Sequence, residues 1–330
     1  MRPGKTTNMR KLVSIVTPCY NEEENVRLLH EAVCNVMDAL GKYRYEHIFI
    51  DNCSTDRTRE VLREMAQESK RVKVIFNSRN FGQNNSPFYA LLQARGDAVI
   101  TMAADFQDPP EMLPRFIEKW EQDYKMVLGI KPTSRENRLM YAVRSVYYKL
   151  IHKLSEIELI DNFTGFGLYD QSVVDILRQV DEPAPYLRGL VCEIGFEKAL
   201  IPFDQPRRAR GVSKNNFFSL YDVAMLGITS HSKMPLRLAT LTGFILSLVF
   251  ALFGVIYLIY KLLFWHAFSA GTAPMVIGVF FVGSVLLFFI GVLGEYVGAI
   301  YTKVSHRPLV IERERLNFDE EPDEEMEGTA

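Results

Sequence analysis

"DAVITMAADFQDPPE", residues 97–111, joins an apolar run to a group of acids and amides. The run has the length and β-rich composition of a buried strand, and Asp105, Gln107 and Asp108 follow its end. Mg²⁺ is commonly held by one or two carboxylates together with phosphates and waters. Asp105 is such a carboxylate, but the position two residues before it is Ala103. The stretch therefore raises the question of whether a metal site is complete here.

Strand and helix patterns alternate on the N-terminal side of this stretch. β-rich runs such as "LVSIVTP" at 12–18 and "YEHIFID" at 45–51 are separated by segments with apolar residues at helical spacing. The alternation predicts an α/β fold with a mostly parallel sheet and right-handed crossovers. Ligands of such sheets bind beyond the carboxyl ends of the strands.

Polar clusters follow four of the predicted strands, at residues 18–22, 51–54, 80–82 and 105–108. Because parallel strands end at one edge of the sheet, these clusters predict a nucleotide pocket. The sequence contains neither G-x-G-x-x-G nor G-x-x-x-x-G-K, so it supports neither a dinucleotide-binding fingerprint nor a P-loop.

Composition narrows the function classes. The chain has 330 residues with 38 basic and 40 acidic side chains, so no overall basic field favours nucleic acid as a partner. Its four cysteines lack C-x-x-C spacing, which indicates reduced thiols rather than a disulfide framework or a zinc site. The N-terminus has only a short apolar run that reaches a proline, which is a poor signal peptide and a good first strand.

Two long apolar runs lie in the C-terminal third. Residues 238–260 contain no Asp, Glu, Lys, Arg or His, and neither do residues 273–294. At ~1.5 Å per residue the first run would form a helix of ~35 Å, enough to cross a bilayer. The runs predict two transmembrane helices that form a hairpin; the alternative is two buried helices of a soluble core.

Basic residues flank this predicted hairpin on its outer ends. Lys233 and Arg237 precede the first run, and Lys303 and Arg307 follow the second, which predicts a multi-pass membrane protein with both termini, and all residues before 234, in the cytoplasm. Glu295 is costly if it faces lipid, so it would pair across the hairpin, pair between subunits of a homo-oligomer, or lie at the membrane interface. The predicted boundaries are an α/β domain at 1–211, an amphipathic interfacial segment at 212–233, the membrane helices at 234–303, and a C-terminal segment at 304–330 with an acidic disordered tail.

Five motifs together resemble one family. "PCYNEEENV", "SRNFGQN", "AADFQDPPE" and "GEYVGAIYTKVSHRP" follow its pattern, and "DNCSTDRT" follows D-D-G-S-x-D-x-T with Asn52 and Cys53 as departures. Over residues ~12–312 the chain resembles the family-two inverting glycosyltransferases of the GT-A fold. It is most similar to the branch that transfers a sugar to a polyisoprenyl phosphate, which includes dolichol-phosphate mannose synthase and the bactoprenol glucosyltransferases.

The resemblance implies roles for the strand-end residues. Asp105 and Gln107 would hold Mg²⁺ or Mn²⁺, because alternation on an extended segment lets both side chains point the same way. Asp108 before two prolines is as consistent with a turn as with a ligand. Asp51 could instead be a helix cap, although Asp56 fits a cap better. The implied nucleotide-binding residues are Pro18, Tyr20, Glu22, Asp51, Asn80 and Gly82.

The resemblance also implies contacts to the reacting groups. Asp105 and Asp161 would be the catalytic carboxylates, with Asp161 acting on the sugar or the acceptor. Basic residues would bind the donor diphosphate and the acceptor phosphate, or would simply face anionic lipid at the membrane surface. These residues are Lys131, Arg135, Arg144, Arg208, Arg210 and Lys214.

The implied reaction moves a sugar, with inversion, from a nucleotide onto undecaprenyl or another polyisoprenyl phosphate at the cytoplasmic membrane face, as one step of cell-envelope glycosylation. The expected donor is UDP-glucose, and the alternatives are GDP-mannose and UDP-aminoarabinose. A catalytically silent membrane scaffold is the competing class, motivated by Ala103, Asn52 and Gly167.

Overall fold

The computed structural model describes residues 10–131, 160, 162–180, 182, 185–206, 234–263, 272–304 and 308–318, without some side chains of the last two helices. The chain forms two compact units. The first contains Met1–Arg144, Leu159–Asn215 and His306–Ala330, and the second contains Ser145–Glu158 and Asn216–Ser305. The predicted domain boundaries stay a prediction. The predicted interfacial segment 212–233 and the end of the acidic tail lie outside the described residues.

Strands and helices alternate through the first unit as the sequence predicts. The strands are β1 (Leu12–Cys19), β2 (Arg44–Asp51), β3 (Val72–Asn77), β4 (Ala98–Thr101), β5 (Met126–Ile130), β6 (Phe163–Asp170), β7 (Lys198–Pro202) and β8 (Glu312–Leu316). The helices are α1 (Val26–Leu40), α2 (Thr58–Glu68), α3 (Gly82–Gln93), α4 (Leu113–Glu121), α5 (Gln171–Gln179) and α6 (Leu187–Glu193), with a 3-10 turn at Pro110–Met112 before α4.

The described strands form a single eight-stranded sheet in the order β7-β5-β6-β4-β1-β2-β3-β8. Its central strands β4, β1, β2 and β3 are mutually parallel, while β6 and β8 pair antiparallel with their neighbours. The prediction of a mostly parallel α/β sheet is confirmed. Because β4, β1, β2 and β3 are adjacent, the four predicted polar clusters meet at one edge.

Helices cover both faces of this sheet, which explains the near-continuous apolar strands. On one face Val13 and Ile15 pack with Leu29 of α1 and Phe116 of α4. Beside them on the same face, Phe49, Val74 and Phe76 pack with Leu62 and Met65 of α2, which contacts α1. On the other face α3 packs against β1 and β2. All these side chains are buried, so the core holds the strand ends in fixed positions.

The sequence did not predict β8. This strand pairs antiparallel with β3 and closes that edge of the sheet. Asn317, directly after it, donates from Nδ2 to the carbonyl oxygens of Ala66 at 2.7 Å and Val72 at 2.9 Å. The C-terminal segment therefore contributes to the sheet that carries the candidate site.

Two further helices belong to the second unit: α7 (Met234–Leu263) and α8 (Thr272–Val304), which contain the predicted spans. Among the residues that the structure describes, no helix qualifies by length and apolarity as able to cross a membrane. The predicted transmembrane hairpin is therefore not supported by the described residues.

Candidate active site

The loops after β1 and β2 are joined by a set of polar contacts. The backbone N–H of Asn21 donates to Ser54 Oγ at 2.9 Å, and the Asn21 side-chain oxygen accepts from the Thr55 N–H at 2.7 Å. The Glu22 N–H donates to Thr58 Oγ1 at 2.8 Å. Asn21 has φ of 59°, a left-handed conformation that asparagine tolerates. This part of the site is therefore fixed before any ligand binds.

Asp51 is fully buried where β2 ends. Its carboxylate accepts from the Ser54 N–H at 3.1 and 3.2 Å, and the nearest guanidinium atom, Arg59 Nε, lies at 4.0 Å. Burial raises the pKa of Asp51, and the bonds from Ser54 partly oppose that rise. The helix-cap alternative does not fit, because Asp56 is the residue that accepts from the N–H of Thr58, the first residue of α2.

Asn52, a departure from the family pattern, connects the loops after β2 and β3. Its Nδ2 donates to Asn80 Oδ1 at 3.0 Å and to the Gly82 carbonyl at 3.1 Å. Its Oδ1 accepts from Asn77 Nδ2 at 3.1 Å and from the Phe81 N–H at 2.8 Å. An ionised aspartate accepts but does not donate, so it could not make the bonds to Asn80 and Gly82. The departure therefore has a structural reason.

The loop after β4 is a turn, so the prediction of an extended segment at 105–107 is wrong. Phe106 has φ of 61°, and the Gln107 N–H donates to Asp105 Oδ1 at 3.2 Å. A side-chain bond of this kind, two residues on, is typical of aspartate in turns. Asp105 remains almost entirely buried, with 5% of its surface exposed, whereas Gln107 is half-buried.

Asp108 is a site residue whose importance the sequence left open. Its Oδ2 accepts from the Ala103 N–H at 2.8 Å, and it is only 6% exposed. Burial raises its pKa to about 7; the Asp105 charge adds to the rise, while the Ala103 bond and the Arg188 charge oppose it. Ala103 thus supports the loop through its backbone. The Asp-Pro-Pro pattern was the only sequence signal for this role.

The donor atoms of this loop suit a hard divalent cation. Asp105 offers a carboxylate and Gln107 an amide oxygen, which are the oxygen ligands that Mg²⁺ and Mn²⁺ accept. Within the described part of the chain, no group of three or more His, Cys, Asp or Glu side chains could hold a metal by itself. The donor set therefore fits a cation whose shell is completed by substrate phosphates and water.

The remaining predicted residues divide by whether the structure describes them. Pro18, Tyr20 and Glu22 are half-buried at or just after the end of β1. Asn80, just before α3, and Gly82, its first residue, are exposed. Lys131 is half-buried after β5, and its N–H donates to the Asn162 carbonyl at 3.1 Å. The others lie outside the described residues: Asp161, Arg135, Arg144, Arg208, Arg210 and Lys214.

Gly167, one of the three residues that motivated the scaffold alternative, lies buried in β6 between β4 and β5. A Cβ atom there would lie 2.9 Å from the Val127 carbonyl oxygen and 3.0 Å from Leu128 Cδ2. No side chain fits at this position without a shift of the sheet. Close packing against β5 therefore explains why this position is a glycine.

Comparison with known proteins agrees with this architecture. The model of the family Glycosyl transferase family 2 matches residues 14–177. A putative glycosyltransferase of Bacillus subtilis, CsbB, is 34% identical over 90% of this chain and 90% of its own length. The bactoprenol glucosyl transferase of Shigella phage SfV is 33% identical over 91% of this chain and 97% of its own length.

Solved structures resemble the chain only distantly. Glucosyl-3-phosphoglycerate synthase from Mycobacterium tuberculosis, in complex with Mn²⁺, UDP and glucosyl-3-phosphoglycerate, covers 69% of this chain and 84% of its own length at 16% identity, with a TM-score of 0.42. That likeness is too distant to support a conclusion about the ligands of this chain.

The fold and the strand-end loops define an α/β protein whose site lies at the carboxyl edge of a mostly parallel sheet. The family match and the extent of the two alignments identify the chain as a member of glycosyl transferase family 2. It is a glycosyltransferase, and the resemblance stated from its motifs is confirmed.

Proposed function

We propose that the chain transfers glucose from UDP-glucose, with inversion, to undecaprenyl or another polyisoprenyl phosphate. The observation that carries this proposal is that two buried carboxylates lie at the same edge of one parallel sheet in a member of this family: Asp51 ends β2, and Asp105 follows β4, with β1 between the two strands. The choice of sugar and acceptor is supported by the name of the SfV relative, bactoprenol glucosyl transferase. GDP-mannose and UDP-aminoarabinose are the alternative donors.

The first two loops suit the nucleoside of the donor. Tyr20 is half-buried and offers an aromatic face against which a base can pack. Carboxylates such as Glu22 and Asp51 accept hydrogen bonds from ring N–H groups or ribose hydroxyls. The contacts between these loops hold the backbone in place without the ligand, which reduces the ordering cost of binding.

The third and fourth loops suit the diphosphate. Asn80 lies just before α3 and Gly82 is the first residue of that helix. Asp105 with Gln107 would hold a divalent cation, either Mg²⁺ or Mn²⁺. Such a cation would supply charge neutralisation to the leaving diphosphate. The Asp105 side chain is oriented by the Gln107 N–H, so its position is set before the donor arrives.

The acceptor needs little activation. A phosphate monoester has its second pKa near ~6, so it is largely ionised at neutral pH. The protein would then act mainly by aligning two anions and masking their repulsion. Lys131, Arg135, Arg144, Arg208, Arg210 and Lys214 are the proposed cations for this purpose, and Asp161 is the proposed carboxylate near the sugar or acceptor.

A membrane location suits a lipid acceptor, and we propose that α7 and α8 insert in the inner membrane with the catalytic unit in the cytoplasm. Residues 238–260 and 273–294 carry no charge. Large apolar side chains on both helices are exposed, including Phe244 at 68%, Leu263 at 70% and Leu287 at 70%. Exposed apolar surface of this extent is typical of a membrane or protein contact. We also propose that the chain self-associates through the same helices, which the same apolar surface supports.

The experiment is a donor panel. Purified protein in mixed micelles with undecaprenyl phosphate receives radiolabelled UDP-glucose, GDP-mannose or UDP-aminoarabinose, and label entering the organic phase is counted. We expect UDP-glucose to give a product that releases glucose on mild acid treatment. Transfer from another donor alone would overturn the choice of sugar. No transfer from any donor would instead favour the silent scaffold.

A further inference from the structure

We propose that β8 is a positioning element for the donor, because it holds residues 78–82, the loop after β3 together with the first residue of α3, in the conformation that binds the nucleotide sugar. This inference rests on the proposed function for its ligand, since Asn80 and Gly82 are the implied nucleotide-binding residues of that loop. The strand lies at the sheet edge, beside β3.

The first observation is a direct bond between the C-terminal segment and this loop. The N–H of Ser78, the first residue of the loop, donates to the Ile311 carbonyl at 2.9 Å. The register of β3 and β8 shifts between Phe76 and Asn77, so the pairing bends where the loop begins. A bulge of this kind redirects the chain at the end of a strand. β8 therefore contacts the backbone that leads into the donor site.

The second observation is that β8 also holds α3, the helix that begins with Gly82. The Tyr89 hydroxyl donates to Glu312 Oε1 at 2.8 Å, and Arg315 Nη2 donates to Gln93 Oε1 at 2.8 Å. Glu312 and Arg315 form an ion pair with each other. Two neighbouring side chains of β8 thus contact two turns of one helix.

The loop itself has little apolar contact to fix it. Ser78, Asn80 and Gly82 are exposed, and Gly82 has φ of 90°. Across the site the loop is held by Asn52, which bonds Asn80, Phe81 and Gly82. Its position is therefore set by polar contacts, from Asn52 on one side and from β8 on the other.

A matched control exists within the same strand. Glu314 binds Arg63 of α2 at 2.7 Å and makes no described bond to α3 or to the loop. Glu314 and Glu312 are two residues apart, and each forms an ion pair with an arginine. Loss of Glu314 therefore removes a contact to α2 and leaves the contacts of β8 to α3 and to the loop in place.

The experiment compares Glu312→Ala with Glu314→Ala in the full chain, with two readouts. Amide hydrogen exchange is measured for residues 78–86 and, as a reference, for residues 21–26; the KM for UDP-glucose and kcat are measured separately. We expect Glu312→Ala to speed exchange at 78–86 alone and to raise the donor KM about three- to tenfold with little change in kcat, as loss of one or two polar contacts would do. Glu314→Ala should leave the KM unchanged.

Conservative changes separate positioning from folding. Glu312→Gln keeps an oxygen that accepts from Tyr89, so it should restore much of the donor KM. If Glu312→Ala does not fold, Tyr89→Phe removes a single hydroxyl and should show the same effects at smaller size.

Unchanged exchange at 78–86, or faster exchange with an unchanged donor KM, would overturn the inference. Equal KM effects from Glu312→Ala and Glu314→Ala would overturn it as well, since they would indicate general destabilisation. Failure of the proposed function is distinguishable, because the unaltered protein would then transfer no glucose from UDP-glucose.

Discussion

At the residue scale, Asn52 and Asp108 are the two side chains on which the site loops depend. Asn52 donates and accepts between the second and third loops, and Asp108 ties the fourth loop to the Ala103 N–H. Both are buried, so their polar groups depend on these partners. The departures at Asn52 and Ala103 are therefore compatible with an ordered site.

An Asn52→Asp substitution should destabilise the protein. The carboxylate would face the oxygens of Asn80 and Gly82, to which the amide now donates. We expect a loss of about 1–3 kcal/mol in the free energy of unfolding, as for a buried polar group without its partner. Gln83→Glu is the control, because it makes the same chemical change at an exposed position in α3. Equal unfolding free energies for the two variants in urea would contradict the connecting role of Asn52.

Asp108 should make stability depend on pH. An unfolded aspartate loses its proton near pH ~4, whereas the folded pKa is about 7. Between these values the folded state binds the extra proton, so stability falls as the pH rises through this window and levels off above it. Asp108→Asn removes this titration. Melting temperatures at pH 4 to 8 should show the unaltered protein losing stability relative to the variant, and parallel curves would refute the assignment.

At the scale of elements, the sequence predicted those strands whose apolar pattern places them in the core. Apolar runs such as 12–18 and 72–77, whose side chains fill the core, predict the first four strands. The positions of the four loops that follow these strands are predicted with them. The turn at Phe106 could not be predicted, because its positive φ is not marked by glycine. β8 could not be predicted either: Glu312–Leu316 is mostly charged, and its partners Tyr89 and Arg63 are more than 220 residues away.

Gly167→Ala tests the packing of the central elements. The new methyl group would lie 2.9 Å from the Val127 carbonyl oxygen, so β5 and β6 would have to separate. We expect a loss of about 1–3 kcal/mol, the usual cost of overpacking. Gly243→Ala in α7 adds the same methyl group where nothing lies within 4 Å. Thermal unfolding should separate the two, and an unaffected Gly167→Ala variant would contradict the packing explanation of this glycine.

At the scale of the whole molecule, the proposed location requires the two ends of the chain on one side of the membrane. Ser269→Cys should react with a membrane-impermeant maleimide in intact cells, whereas Ser69→Cys should not. The unaltered chain is the control, because Cys19, Cys34, Cys53 and Cys192 all precede the apolar runs. Labelling of Ser69→Cys but not of Ser269→Cys would indicate the opposite orientation. The catalytic unit would then have no access to a cytoplasmic donor.

The central claim is that Asp105 serves metal-assisted sugar transfer from a nucleotide to a lipid phosphate. The most direct measurement is the incorporation of label from UDP-glucose into polyprenyl phosphate while Mg²⁺ or Mn²⁺ is titrated, for the unaltered protein, Asp105→Asn and Asp108→Asn. We predict that EDTA abolishes incorporation, that Asp105→Asn lowers it roughly a hundredfold or more, and that Asp108→Asn has a much smaller effect. Equal incorporation in EDTA and in metal, or an Asp105→Asn variant as active as the unaltered protein, would contradict the claim.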